Sequence, residues 1–460
     1  MAKHYDAIII GTGQAGPALA ARLTKEGLKS VIIERGRIGG TCVNTGCIPT
    51  KTLVASARVA WLARRAGDFG VMTNGAVQVD MARVKSRMDA VVHHSTEGLE
   101  KWLGGMHGLT FIRGHARFTA PDQVNVNDEV LTAPKIFLDV GARAAVPDMP
   151  GLNDVKYLTN SGMMKIDFLP SHLIIVGGSY VGLEFAQMYR RFGSRVTVIE
   201  MGPRLIGRED DDVSDTVREI LEGEGIEVRL NARCIAVAKR GDSVSVRLDC
   251  GEGAPEVTGS HLLLAVGRKP NTDDLGLDAA GIHTDKRGHI TVDEQLRTSV
   301  SGVWALGEVN GRGAFTHTSY NDYEIVAANL FDGAQRRVSD RVPAYALYTD
   351  PPLGRAGITE HEARELGRPV LVAKMPMSRV GRARERSEMQ GFMKVLVDAQ
   401  SEHILGAALL GIEGDEVIHC LIDLMYAKAS YRLLQQAMHI HPTVSELLPT
   451  LLGMLKPLHA

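Results

Sequence analysis

Apolar residues in this chain come in short unbroken runs, and two of those runs end in the same way. Asp6-Ala7-Ile8-Ile9-Ile10 reads as a buried strand and passes directly into Gly11-Thr12-Gly13-Gln14-Ala15-Gly16. Pro17 to Leu28 then reads as a helix, and Ser30-Val31-Ile32-Ile33-Glu34 as the next strand. His172-Leu173-Ile174-Ile175-Val176 repeats the run, Gly177-Gly178-Ser179-Tyr180-Val181-Gly182-Leu183-Glu184 the turn, and Arg195-Val196-Thr197-Val198-Ile199-Glu200 the strand beyond it.

Strand, glycine turn, helix and strand make a Rossmann half-fold. Glycine lets the backbone turn tightly and approach a pyrophosphate held on the helix N-terminus. Gly11, Gly13 and Gly16 form the first turn; Gly177 and Gly182 belong to the second, where the small Ser179 stands for the middle glycine. Glu34 ends its strand about 20 residues after the first glycines, where a carboxylate can bind a ribose hydroxyl. Glu200 ends the equivalent strand; it would accept from a 2′-hydroxyl and repel a 2′-phosphate, which favours NADH, while the nearby Arg204 and Arg208 keep NADPH open.

Elsewhere, Val79 to Leu103 reads as a helix, with short strands at Leu109 to Ile112 and Gln123 to Asn127. Lys135 to Gly141 is a strand ending in glycine, and Pro147, Pro150 and Gly151 mark a domain crossing. Val257 to Val266 returns as one strand into the turn Gly267-Arg268-Lys269-Pro270-Asn271, and Gly302 to Glu308 is a further apolar strand. After Val342-Pro343 the pattern changes to strands at Arg368 to Met375, Met393 to Asp398 and Ile404 to Leu410, then helices at Asp415 to Ala427 and Tyr431 to Met438. The expected class is α/β: two Rossmann-like dinucleotide-binding domains, the second inserted in the first, plus a C-terminal α+β domain. The expected divisions are residues 1–148, 149–270, 271–338 and 339–460.

One stretch carries chemistry of another kind. In Gly39-Gly40-Thr41-Cys42-Val43-Asn44-Thr45-Gly46-Cys47-Ile48-Pro49-Thr50-Lys51 a disulfide needs the two Cα atoms within about 7 Å, hence a turn, and Asn44, Thr45 and Gly46 suit one. Ile48-Pro49 opens a run to Arg65 with helical spacing, so Cys47 falls at or just before a helix N-terminus, where the dipole favours a thiolate. These residues alone fit a redox pair, a static staple or two packed cysteines. Five cysteines in 460 residues are too few for a secreted disulfide framework, so a close pair points to catalysis or metal. No second Cys or His pair stands at zinc-ligand spacing, and Cys234, Cys250 and Cys420 are scattered as packed residues, so no resident metal is expected.

Charge narrows the partners. A formal charge of −2, with both signs interspersed, offers no basic face for nucleic acid or an anionic membrane. No apolar run approaches the roughly 18 residues of a membrane span, and Met1 to Asp6 lead straight into a strand, so a cytoplasmic location is expected.

One dinucleotide fold interrupted by another, with a paired-cysteine helix behind the first, resembles the pyridine nucleotide-disulfide oxidoreductase family, which includes glutathione reductase, dihydrolipoamide dehydrogenase and mercuric reductase. The blocks Cys42 to Lys51, Gly178 to Glu184 and His441-Pro442-Thr443 carry the resemblance, which covers essentially the whole chain. It implies FAD on the first unit, with Glu34 on the adenosine ribose and Glu308 near the ribityl chain, where the family has Asp and one methylene less. Gly40, Thr41, Gly141, Gly267 and Thr316 join the implied cofactor-binding set. NADH or NADPH is implied on the inserted unit, with Tyr180 as an aromatic gate over the flavin and Lys51 paired with Glu184 beside the flavin N5 edge.

The resemblance also implies the roles of the sulfurs: Cys47 lies against the flavin, and Cys42 faces outward to attack the acceptor. Electrons would pass from nicotinamide to flavin, to the Cys42–Cys47 disulfide, and from the dithiol onward. His441 and Glu446 resemble the acid–base dyad that handles the proton of Cys42, with His439 structural. In the family that dyad reaches the other subunit, which implies a homodimer with a shared active site and residues 339–460 as its interface domain.

The acceptor is less legible. The sequence ends Lys456-Pro457-Leu458-His459-Ala460, without the C-terminal cysteine pair of mercuric reductases or the redox extension of large thioredoxin reductases. Tyr348 to Arg355, and Met375 to Met389 with Arg379, Arg382, Arg384 and Arg386, are similar to the mercuric-reductase-like and reactive-chlorine-resistance branch. Those arginines alternate with Glu385 and Glu388, so they read either as an anion site or as a solvated interface strand or loop. A small-molecule disulfide or thiol-reactive acceptor is the first expectation, a metal ion or quinone the second, and a dihydrolipoamide dehydrogenase component of a multienzyme complex the third.

Overall fold

Ala7–Ile10 is buried along its whole length because a strand at the centre of a parallel sheet is covered on both faces, which is why its sequence is uniformly apolar rather than alternating. In the computed structural model, which describes residues 2–249 and 254–458 and so leaves Cys250 outside, that strand sits third of five. The parallel order is Val303–Ala305, Ile136–Leu138, Ala7–Ile10, Ser30–Glu34, Leu109–Arg113. A second parallel sheet of five runs Tyr157–Leu158, His261–Leu264, His172–Val176, Arg195–Ile199, Glu227–Arg229. The first sheet takes its last strand from beyond the whole of the second, so one Rossmann-like domain is inserted in the other. The antiparallel pair Ala142–Ala144 and Arg268–Pro270 ties the outgoing chain to the returning one at the crossing.

The third domain is α+β. Its six antiparallel strands run Ala344–Leu347, Leu353–Gly357, Ile404–Leu410, Phe392–Asp398, Val370–Pro376, Lys456–Pro457. Helices Gly414–Tyr426 and Tyr431–Gln436 bury Val417, Leu421 and Leu434 in the same core as Met393, Ala407 and Leu409. Leu53 and Ala57, on the helix Cys47–Arg64, share a core with Leu183 and Phe185 of the inserted domain and Leu347 and Leu353 of the third. Each fully buried leucine there contributes about 2 kcal/mol, so the cysteine helix is fixed where the three domains meet.

Three expected elements are different. Val257 to Val266 is two strands, Glu256–Gly259 in an antiparallel sheet with Ser243–Asp249 and His261–Leu264 in the parallel one. At the switch a Cβ on Gly259 would stand 2.8 Å from Ile174 Cγ1, and Ser260 N donates to His172 O at 2.9 Å, so the chain steps across the sheet instead of extending it. The strand expected at Gly302 to Glu308 ends at Ala305, and a 3₁₀ turn, Gly307–Asn310, follows. The arginine stretch is neither strand nor loop past Pro376: a turn Met377–Arg379 and a helix Gly381–Glu385 bury Met377, Val380 and Ala383, an every-third-residue pattern hidden among the charges. Two helices, Asp211–Gly223 and Thr316–Phe331, have no counterpart in the sequence reading. Among the described residues no helix is long and apolar enough to cross a membrane.

Candidate active site

Both glycine turns stand at the C-terminal ends of central strands, the place where an open α/β sheet leaves a crevice for ligand. Gly11 has φ +106°, and a Cβ there would lie 2.2 Å from Asp139 O; Gly177 has φ +114°, with the equivalent atom 2.3 Å from Ala265 O. Neither position tolerates a side chain. Gly16 and Gly182 close the turns from behind, each crowding the carbonyl of Gly11 or Gly177. The two strand-end acids are held alike. Glu34 accepts from Thr12 N (3.0 Å), Thr12 Oγ1 (2.7 Å) and Gly36 N (2.7 Å); Glu200 accepts from Gly178 N (2.7 Å) and Gly202 N (2.8 Å). A carboxylate has about four acceptor sites, so each can still meet a ribose.

A cavity of about 570 Å³ joins the first turn to the cysteines. Its lining includes Gly11, Gly13, Glu34, Gly40, Thr41, Cys42, Cys47, Lys51, Gly141, Tyr180, Glu184, Glu308, Thr316 and Tyr348, drawn from all three domains. These residues fit FAD: a Cβ added at Gly40 would close on Gly13 Cα at 3.0 Å, so bare backbone forms the wall where a dinucleotide must come close. Asp139 also lines the cavity and was not singled out from the sequence. Its buried carboxyl accepts from Gly16 N at 2.8 Å, and burial pushes its pKa up to about 8.

The two thiols are free and unequal. Cys42 lies on the short helix Gly40–Asn44, and Cys47 is the first residue of Cys47–Arg64. The hydrogen bond between them, then burial, pushes the Cys42 thiol far above its ordinary range. The same bond pulls Cys47 down to about 6 against the opposing effect of burial, with help from the Thr316 hydroxyl at 3.1 Å and the charge of Lys51. The thiolate is therefore favoured on Cys47 and disfavoured on Cys42. Lys51 Nζ donates to both oxygens of Glu184, at 2.9 and 2.7 Å, and lies 4.5 Å from the centre of the Tyr348 ring; Tyr348 N donates to Glu184 Oε1 at 3.1 Å.

The other expected residues are placed as follows. Glu308 lines the cavity paired with Arg268, whose Nε donates to its oxygens at 2.6 and 2.8 Å. Gly267 precedes that arginine with φ +116° and does not line the cavity. His441 Nδ1 meets Glu446 Oε2 at 2.9 Å, but the histidine is 80 % exposed and also stands outside the cavity. The dyad is built, outside the cavity of this chain's own cysteines. Of the arginine stretch, Arg382 pairs with Glu385 (3.0 Å) and Arg386 with Glu413 (2.5 Å), the pattern of a solvated face.

Two dinucleotide folds, a cysteine pair on a helix start and a distinct third domain define a flavin-dependent disulfide oxidoreductase. The chain belongs to the pyridine nucleotide-disulphide oxidoreductase family, whose sequence model matches residues 5–322, with the family's dimerisation domain matching residues 343–452. It is a redox enzyme with an FAD-binding domain. Among individual proteins, it is 35 % identical over 463 residues to the probable pyridine nucleotide-disulfide oxidoreductase RclA of Escherichia coli (strain K12), covering 99 % of this chain and 100 % of that one. Mercuric reductase of Staphylococcus aureus is 31 % identical over 417 residues, 90 % of this chain and 76 % of that one. The solved Cu(II) complex of the HOCl-induced flavoprotein disulfide reductase RclA from Escherichia coli matches with a TM-score of 0.89 at 34 % identity, over 97 % of this chain and 99 % of that one.

Proposed function

We propose that this enzyme takes two electrons from NADH and delivers them through Cys42 and Cys47 to a disulfide or another thiol-reactive acceptor. The observation that carries the reading is the placement of the pair: Cys47 stands first on its helix, 3.1 Å from the Thr316 hydroxyl, in a cavity that it shares with Cys42 and the Lys51–Glu184 ion pair, surroundings that pull its thiol down. FAD, when bound, supplies the two-electron relay between nicotinamide and disulfide. Lys51 holds positive charge beside Cys47, and Glu184 holds Lys51. Tyr180 covers the nicotinamide side. Cys42 attacks the acceptor once a base takes its proton; His441, oriented by Glu446, is that base, contributed by the second subunit of a homodimer.

NADH is favoured because Glu200 is locked on the turn amides and Arg204 is paired with Asp211, which draws a cation away from any 2′-phosphate. The division at 338/339 is supported by which strands share a sheet, and those at 148/149 and 270/271 lie at the crossing where Arg268–Pro270 pairs with Ala142–Ala144. A cytoplasmic location suits a dithiol kept reduced. The RclA structure is a Cu(II) complex and a second relative is a mercuric reductase, so thiophilic metal ions join disulfides as candidate acceptors at the same dithiol.

Steady-state rates with oxidised glutathione, lipoamide, a quinone, Cu(II) and Hg(II), in wild type and Cys42→Ala, test this. At least one disulfide or thiophilic ion should be turned over by wild type and lost in the variant. Turnover that survives Cys42→Ala for every acceptor would contradict the dithiol route, and a higher kcat/KM with NADPH would overturn the choice of donor.

A further inference from the structure

Behind Tyr180 lies a buried charge that the proposed reaction does not use. Glu209, just before the helix Asp211–Gly223, has a side chain with no solvent exposure. One of its oxygens, Oε1, accepts from the hydroxyls of two tyrosines, Tyr180 at 3.0 Å and Tyr345 at 2.7 Å. The rings meet edge to face at 5.6 Å, and Tyr180 is also edge-on to Phe315 at 6.3 Å, itself stacked on Tyr345 at 5.3 Å. Burial, then the charge of Glu209, raises both phenol pKa values, so both stay donors.

Tyr345 and Arg355 are register partners across neighbouring strands of the third domain. The buried Arg355 guanidinium lies 3.8 Å from the other Glu209 oxygen, and neither Oε2 nor Arg355 Nε makes a hydrogen bond among the described residues.

We infer that Glu209 is a latch that holds the Tyr180 ring over the cavity, and that Tyr345 is the positioning residue that makes the latch reversible. The inference rests on the reading of Tyr180 as the ring that nicotinamide must displace. Swinging that ring out breaks its bond to Glu209. A buried carboxylate left without donors costs more than the bond itself. Tyr345 stays on the same oxygen and Arg355 faces the other, so an open gate does not strand the charge. The latch thereby couples the inserted domain to the third.

The test is anaerobic stopped-flow reduction of the flavin in holoenzyme by NADH below saturation, with flavin content and melting temperature checked for each variant. Glu209→Gln replaces a charged acceptor with a neutral one and should raise the second-order rate about fivefold. Tyr180→Phe should raise it similarly. Tyr345→Phe strips the donor that serves the open state and should lower it about fivefold. In a Tyr180→Phe background neither other change should move the rate by more than about twofold. Glu209→Gln and Tyr345→Phe acting in the same direction, or keeping their effects without the Tyr180 hydroxyl, would overturn the latch and leave the gate standing. Tyr180→Phe without effect on the rate would remove the latch and leave the gate standing, whereas Tyr180→Ala without effect on the rate or on KM for NADH would remove the gate and the latch with it. Where Glu209→Gln loses flavin, Tyr345→Phe decides alone, and an unchanged or faster rate counts against the latch.

Discussion

At the scale of single residues, the chemistry turns on where protons sit. Cys47 loses its proton near pH 6 because it receives hydrogen bonds from Cys42 and Thr316 beside Lys51. Its thiolate is therefore present above that pH and lost as pH falls through it. Thr316→Val removes one donor and should move the midpoint, read from ultraviolet thiolate absorbance of the reduced enzyme, upward by roughly 0.7 pH unit. An unchanged midpoint would mean that Thr316 does not tune the sulfur. Asp139 has the opposite sign: burial keeps it protonated up to about pH 8, and above that it ionises against Gly16 at the turn that receives a dinucleotide. FAD retention on dialysis should weaken as pH rises through about 8, and Asp139→Asn should flatten the dependence. Equal pH dependence in the two proteins would clear Asp139 of that role.

At the scale of elements, the two glycine turns are alike in geometry and should differ in consequence. Gly11→Ala drives a Cβ to 2.2 Å from Asp139 O and Gly177→Ala one to 2.3 Å from Ala265 O, each at positive φ and each costing about 3 kcal/mol. Gly11→Ala should purify without flavin. Gly177→Ala should keep its flavin while NADH reduces it roughly tenfold more slowly or worse, since 1.4 kcal/mol is already a factor of ten. Loss of flavin from both, or from neither, would contradict the assignment of one turn to each dinucleotide. These turns were legible because glycine after an apolar run is a local signal, and the Cys42 to Lys51 block was legible for the same reason. What was not legible is set by packing. Asp139 reads as the end of a strand until its carboxyl is seen against Gly16, and Tyr345 meets Glu209 across 136 residues of chain. The switch at Gly259 and the helix at Gly381–Glu385 were hidden because apolar continuity masked a sheet crossing in one and charge masked a helical period in the other.

At the scale of the whole molecule, His441 is exposed and outside the cavity that holds Cys42, so the proposed acid–base step needs a second chain. Cys42→Ala and His441→Gln should each lower acceptor turnover by roughly a hundredfold or more. Co-expressed, they form mixed dimers in which one of the two sites has both groups, so such dimers should recover about half of wild-type activity per dimer. Mixed dimers no more active than their parents would place the base within one chain. The claim on which the rest depends is that Cys47 is a thiolate beside the flavin after two electrons enter. Anaerobic titration of the holoenzyme with NADH tests it directly: a long-wavelength thiolate-to-flavin band should grow to its maximum at two electrons and vanish in Cys47→Ser. Its absence from the wild type, or its survival in Cys47→Ser, would contradict the account.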